Sequence, residues 1–258
     1  MATDPPVPPE WTVLYHAPGK FKGRGEFLRL MLEDKGVSYV NTDENLYGPD
    51  GMMDGFRGSH EAIQKNTLSF PLLFPPAIWH RPRDGGEEVL INQSAACMIY
   101  LGDVLGYAPS SAAERARANA VLLNAMDYIA EGRVSFHPVK NTMSYNDQKE
   151  EGDKSSKEWC ENRMKNFLYH FNKVVAGQNG GGKAPVAGGP NVTYADFALF
   201  HVLDATVSQF NNEKYGHAWD KFDGTALKEY YLWMKERPNL QAYFQSDRCT
   251  PFAGDSMM

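Results

Sequence analysis

Apolar and polar positions divide the chain into a front part with short runs and a longer part with helical spacing. WTVLYH (11–16) is a compact run of β-branched, aromatic and aliphatic residues, the composition of a buried strand. RGEFLRLMLEDKG (24–36) puts Phe27, Leu28, Leu30, Met31 and Leu32 on a wide apolar face. It ends at Gly36, where a helix takes its left-handed glycine. VSYVN (37–41) returns to strand composition, so the order strand–helix–strand predicts a parallel pair with a right-handed crossover. Residues 42–66 are rich in Gly, Asp and Met and carry no clear period; they read as a long loop with room for one short helix. FPLLFPPAIWH and EEVLIN predict two further strands. RPRDGGE between them supplies the turn chemistry of an antiparallel hairpin. LINQSAACMIYLGD (90–103) ends the second of these strands and opens a helix that closes near Gly102 or Leu105.

DVLGYAPSS (103–111) reads as a linker, and everything beyond it is helical in pattern. The segments are AAERARANAVLLNAMDYIAEG (112–132), SSKEWCENRMKNFLYHFNKVVAG (155–177), VTYADFALFHVLDATVSQF (192–210), TALKEYYLWMKERP and NLQAYFQSD. The third is apolar enough to be buried, and Thr193 with Asp196 forms a capping box at its start, a structural role. The glycine run 180–182 is a loop and not a phosphate cradle: no strand leads into it and no G-K-[ST] follows. A small mixed α/β domain followed by a helical bundle is the architecture this pattern predicts.

Composition narrows the function classes. The chain has 258 residues, 42% apolar and 22% charged, with a formal net charge of −6 and no Lys/Arg cluster, so nucleic acid is a poor partner. Three cysteines (Cys97, Cys160 and Cys249) without a C-x-x-C exclude a disulfide framework and a thiolate zinc site, and fit a reducing compartment. No H-E-x-x-H or other metal-ligand spacing occurs, so no metal is expected. MATDPPVPPEW lacks the apolar region of a signal peptide, and no apolar run is long enough to cross a bilayer. A cytoplasmic protein without a membrane partner is expected.

Four features remain, each with a plain local reading. Tyr15 ends the first strand and reads as a core tyrosine; Arg24 opens the first helix and can pair with Glu26. Pro71 stands at a strand start, and Ser94 in Asn92-Gln93-Ser94 can be a helix N-cap. Their order on a β-α-β-β-α half followed by helices resembles the cytosolic glutathione transferases of the tyrosine type (alpha, mu, pi and sigma). TVLYH…GRGEFLRLMLEDKGVSY, LINQSAACMIYLG and VTYADFALFHVLD carry the resemblance, which spans roughly residues 11–247. It implies a thioredoxin-like glutathione-binding domain over 11–103 and an all-helical domain over 112–247 that contributes the acceptor pocket.

The resemblance also implies roles. Tyr15 would donate to the glutathione sulfur. Lowering a thiol from about 8.5 by roughly two units takes about 2.7 kcal/mol, which one hydrogen bond to a charged group nearly supplies. Arg24 would add positive field. Pro71 would be a cis-proline that turns the Phe70 amide and carbonyl toward the cysteinyl backbone of the bound peptide. Gln93 and Ser94 would hold the γ-glutamyl group at a helix N-terminus, and Asp127 would reach it across a homodimer interface. His16 and Lys20 share the loop after Tyr15 as alternatives beside the sulfur, and Lys22 reads as a solvated loop charge. Tyr107, Phe136, Met143, Tyr145 and Phe252 are available to line the acceptor pocket. The implied activity is conjugation of the glutathione thiolate, as co-substrate, to a small apolar electrophile. A glutathione-dependent isomerase or peroxidase, and a non-catalytic binding or scaffold protein of the same fold, stand as alternatives.

Overall fold

In a computed structural model, residues 8–16, 20–41, 64, 70–254, 256 and 257 are described. Four short strands form one sheet: β1 (Trp11–Leu14), β2 (Val40–Asn41), β3 (Ala77–His80) and β4 (Val89–Asn92), in the order β2-β1-β3-β4. β1 and β2 run parallel on either side of α1 (Glu26–Lys35), and β3 is antiparallel to both β1 and β4. Gly36 ends α1 at φ 72°, in the left-handed region where the absence of a Cβ removes the steric cost.

FPLLF does not join β3, which is confined to Ala77–His80. Only Leu72 of that run is buried, packing with Leu14 and Ala77, while Phe70, Leu73 and Phe74 are exposed. Pro75 and Pro76 separate the run from the ladder and bring no N–H to it.

The remaining elements are helices: α2 (Ser94–Leu105), α3 (Ala112–Phe136), α4 (Lys149–Glu161), α5 (Arg163–Ala176), α6 (Tyr194–Phe210), α7 (Ala218–Lys221), α8 (Thr225–Lys235) and α9 (Pro238–Phe244). The pattern predicts one helix over 155–177, but the backbone breaks at Asn162 (φ −119°, ψ −81°). The Asn162 amide side chain donates to the Glu158 carbonyl at 3.0 Å, competing with the helix backbone. The two pieces then bury separate faces, Trp159 and Cys160 on α4 and Met164, Leu168, Phe171 and Val175 on α5.

α6 is the buried centre of the helical half. Asp196, fully buried, accepts from the Thr193 amide (2.7 Å) and hydroxyl (2.8 Å), the Val186 amide (2.9 Å) and the Tyr230 hydroxyl (2.9 Å), so the predicted capping box is tied to two further segments. One apolar cluster runs through both halves. Asp34 on α1 clamps them together, accepting from both Nε and Nη2 of Arg237 at 2.6 Å and from the Tyr107 hydroxyl at 2.6 Å. No helix among the described residues is long and apolar enough to cross a membrane.

Candidate active site

The sheet register assembles the site. Leu14 pairs with Ala77, and Ala77 pairs with Asn92. One step past these pairs, at the same end of the sheet, come Tyr15, Pro76 and Gln93. Asn92 reinforces this end: its buried amide donates to the carbonyls of Phe74 (3.0 Å) and Leu73 (3.3 Å), binding the turn before β3 to the start of α2.

Tyr15 is 5% exposed, and its hydroxyl accepts the Arg24 backbone N–H at 2.9 Å. The ring lies on Gly23 and Gly25: a Cβ on Gly23 would stand 2.3 Å from Cε1 and 2.5 Å from the hydroxyl oxygen. Gly23 sits at φ 55°, so glycine serves both the turn and the close approach. Burial pushes the Tyr15 phenol up, against the Arg24 amide and the charges of Arg24, Arg29 and Arg133, which act the other way. The phenol therefore keeps its proton at neutral pH, the form that can donate to an acceptor.

Arg24 is not spent on Glu26. Glu26, completely buried, instead accepts from Arg29 Nε at 2.8 Å and from the Tyr243 hydroxyl at 3.0 Å. The Arg24 guanidinium has no carboxylate partner among the described residues, and its burial pulls it down from its ordinary value, with the Tyr15 phenol opposing. A guanidinium stays charged in a protein, so a half-buried positive charge stands beside Tyr15.

Lys22, expected to be solvated, is buried: its ammonium meets Asp204 of α6 at 2.7 Å and its amide donates to the Pro251 carbonyl at 2.9 Å. Arg29 also donates to the Lys22 carbonyl. The loop that offers Arg24 to Tyr15 is thus fastened from below by α1, α6 and the C-terminal segment.

Ser94 is not an N-cap. It is the first residue of α2, buried, and its hydroxyl makes no cap bond; Gln93 precedes it at φ 72°, ψ 114°. A left-handed non-glycine backbone costs energy that the surrounding structure must hold in place. The exposed Gln93 side chain and the free first-turn amides of α2 are left for another acceptor.

The cis-proline expectation is corrected. The cis peptide bond among the described residues joins Pro75 to Pro76, not Phe70 to Pro71. Phe70 lies seven residues ahead of Ala77, the first residue of β3, and is 62% exposed. Pro75, the residue before the cis bond, offers a carbonyl but no N–H. Asp127 is exposed on α3 and, among the described residues, has no hydrogen bond to Tyr15 or Ser94; the role expected of it lies across a homodimer interface and not within one chain. Asn124 and Glu131, three and four residues from Asp127 on the same helix, turn to α5: Asn124 meets His170 at 3.1 Å, and Glu131 accepts from Nε and Nη2 of Arg163.

The proposed pocket aromatics do not gather. Tyr107 is committed to Asp34, Phe136 and Tyr145 pack on each other, and Phe252 stacks on His201. His16 stays beside Tyr15, ring centroids 5.4 Å apart. Sequence reasoning missed Arg133, in the last turn of α3, whose charge reaches Tyr15 and whose Nη1 meets His137 Nε2 at 2.6 Å. A lone arginine near a helix C-terminus has an ordinary dipole explanation, so the sequence held no signal for it.

A four-stranded thioredoxin-like sheet bearing a tyrosine at its end, followed by helices alone, is the fold of the cytosolic glutathione transferases. Residues 135–247 match the family described as "Glutathione S-transferase, C-terminal domain". The match covers the helical part only, and over the whole chain the fold is that of solved glutathione S-transferases. It is similar to the pi-class glutathione S-transferase of Onchocerca volvulus (22% identity, 91% of each chain covered, TM-score 0.60). The glutathione S-transferase from Ascaris lumbricoides gives 20% identity, 92% and 96% coverage and a TM-score of 0.58. The glutathione S-transferase Blo t 8 gives 16% identity, 96% and 99% coverage and a TM-score of 0.65. No curated protein matches the chain in sequence.

Proposed function

We propose that this chain is a glutathione transferase that conjugates the glutathione thiolate to small apolar electrophiles, acting as a cytoplasmic homodimer. The observation that carries the reading is the pairing of a protonated, buried Tyr15 with the Arg24 amide and with a guanidinium that has no carboxylate partner among the described residues. A phenol that accepts an N–H bond is a stronger donor through its own O–H. Directed at the glutathione sulfur, it favours the thiolate once the thiol proton has left to solvent; the sulfur lone pair forms the new carbon–sulfur bond as the electrophile's leaving group departs with its bonding pair or, in an addition, as its π pair shifts away and takes a proton from solvent. Ser94, Gln93 and the α2 amides take the γ-glutamyl carboxylate, and Asp127 faces its amine from the second subunit. The strand role assigned to Phe70 and Pro71 passes to Pro75 and Pro76, with only the Pro75 carbonyl left to pair with the peptide.

A binding protein of the same fold without turnover is the second reading. It is favoured by the enclosure of the Tyr15 hydroxyl over Gly23 and by the missing Pro75 N–H. Retention on immobilised glutathione followed by turnover of a generic electrophile separates the two. In Tyr15→Phe, glutathione should still bind, with its thiol pKa raised by one to two units, the worth of about 1.5–3 kcal/mol. An unchanged thiol pKa removes Tyr15 from the chemistry, and retention without turnover selects the second reading.

A further inference from the structure

His201 stands in an unbroken run of buried residues on α6 and is itself fully buried. Phe27 of α1 meets its ring in a T-shaped contact (4.4 Å, 82°), and Phe252 of the C-terminal segment lies nearly parallel to it (5.8 Å, 14°). Neither ring nitrogen has a partner at hydrogen-bonding geometry, and the backbone acceptor that bears on the ring is the Gly23 carbonyl. Burial first, and then the charges of Lys22 and Arg29, pull the imidazole well below its ordinary value, with Gly23 opposing. At neutral pH the ring therefore carries one N–H and one lone pair. Core packing does not call for that donor: an apolar side chain between two phenylalanine rings would leave no N–H to satisfy.

We propose that His201 is a positioning residue for Tyr15, its ring N–H closing on the Gly23 carbonyl and acting on the phenol through the Gly23–Arg24 peptide. The Gly23 carbonyl and the Arg24 N–H belong to one planar trans unit and point opposite ways. The N–H end already meets the Tyr15 hydroxyl at 2.9 Å. Fixing the carbonyl end therefore aims the N–H end. A carbonyl that accepts a hydrogen bond also polarises its own peptide N–H into a stronger donor. The Gly23 carbonyl takes the Glu26 amide at 3.2 Å and keeps a second lone pair for the imidazole. Asp204, three positions beyond His201 on the same helix, holds Lys22 at 2.7 Å, so one face of α6 grips two successive residues of the turn. The effect on glutathione rests on the transferase reading of Tyr15; the positioning itself does not.

The test is hydrogen exchange of the Arg24 amide in the full chain, with the Leu30 amide of α1 as internal reference for overall stability. In His201→Leu the Arg24 amide should exchange about threefold to tenfold faster relative to Leu30, the worth of one hydrogen bond. The thiol of bound glutathione, followed by thiolate absorbance against pH, should become about threefold to tenfold less acidic at unchanged affinity. His201→Asn or His201→Gln, whose amides reach about as far as Nδ1 and Nε2, should restore both. Should His201→Leu fail to fold, the unmodified protein labelled with [15N]histidine decides: His201 should show a neutral ring whose N–H gives a nuclear Overhauser contact to the Gly23 α-protons. A charged ring, a ring N–H without that contact, Arg24 exchange that keeps pace with Leu30, or a loss that neither amide variant restores would each overturn the proposal. Failure of the unmodified protein to bind glutathione would instead remove the transferase reading, leaving Arg24 exchange and the Overhauser contact to decide His201.

Discussion

Gly23→Ala tests whether the Tyr15 ring is seated on the loop that carries Arg24. The new Cβ would lie 2.3 Å from Tyr15 Cε1, whereas carbon atoms rest at about 3.5–4.0 Å. The ring must therefore retreat by more than about 1 Å, and it is 5% exposed, with little room to do so. The bond from the Arg24 amide, 2.9 Å at present, would stretch past hydrogen-bonding distance. Three costs combine: about 1–2 kcal/mol for a Cβ at φ 55°, about 1–3 kcal/mol for overpacking, and about 0.5–1.5 kcal/mol for the lost bond. The expected loss is about 3–6 kcal/mol. Gly85→Ala is the matched control, because Gly85 is also left-handed (φ 82°) but a Cβ there meets nothing within 4 Å. It should cost only the backbone part, about 1–2 kcal/mol. Urea denaturation of both variants gives the difference, and conjugation of a generic electrophile gives the consequence for Tyr15. Equal destabilisation of the two variants would refute the seating of Tyr15 on Gly23.

Ser94→Ala should leave stability within about 0.5 kcal/mol, since the hydroxyl caps nothing, and should weaken glutathione binding about tenfold by calorimetry; a stability loss near 1 kcal/mol with unchanged affinity would restore the N-cap reading. Asp196→Asn should cost at least about 3 kcal/mol in urea melts, because one of four buried donors must then face an amide, while the folded fraction binds glutathione normally. For Asp153, burial is the largest single influence and raises its carboxyl, but hydrogen bonds from Lys149, Lys214 and Tyr145 together outweigh it and hold it well below the usual range. Its folded pKa lies below the unfolded value of about 3.9, so this stabilisation is present above about pH 4 and is lost as pH falls further. The stability gap between wild type and Asp153→Asn should therefore close below about pH 4; a gap independent of pH in acid melts would remove the carboxylate from the account.

Local pattern was enough for α1 with its Gly36 cap, for the β3–β4 hairpin with its Asp-Gly-Gly turn, and for the capping box that starts α6. Each is written in neighbouring residues, whose period or turn chemistry has few alternatives. The succession of a mixed sheet and a helical bundle was legible for the same reason. Fine choices among equivalent residues were not. Three prolines lie between Phe70 and Ala77, and only the ladder register shows that Pro76, one step beyond Ala77 and facing Tyr15, occupies the end of the sheet. Lys22 read as solvated because a loop lysine usually is; its burial depends on Asp204, 182 positions away. Whether Arg24 was taken by Glu26 could not be read from their spacing, because the deciding partners of Glu26 are Arg29, on the same helix, and Tyr243, from the far end of the chain.

The sequence by itself determined the order of the two halves and the strand or helix character of most described segments, though not the bounds of β3 or the break at Asn162, and it singled out Tyr15, Arg24, Gln93 and Ser94 through a family resemblance. The tertiary structure alone decided which proline closes the sheet, that Ser94 leaves its hydroxyl uncommitted, that Gly23 bears the Tyr15 ring, and that Arg133 sends its charge there. The division has a physical cause. Secondary structure follows from interactions among residues a few positions apart. The state of a buried charge or hydroxyl depends on which partners long-range packing brings within about 3 Å.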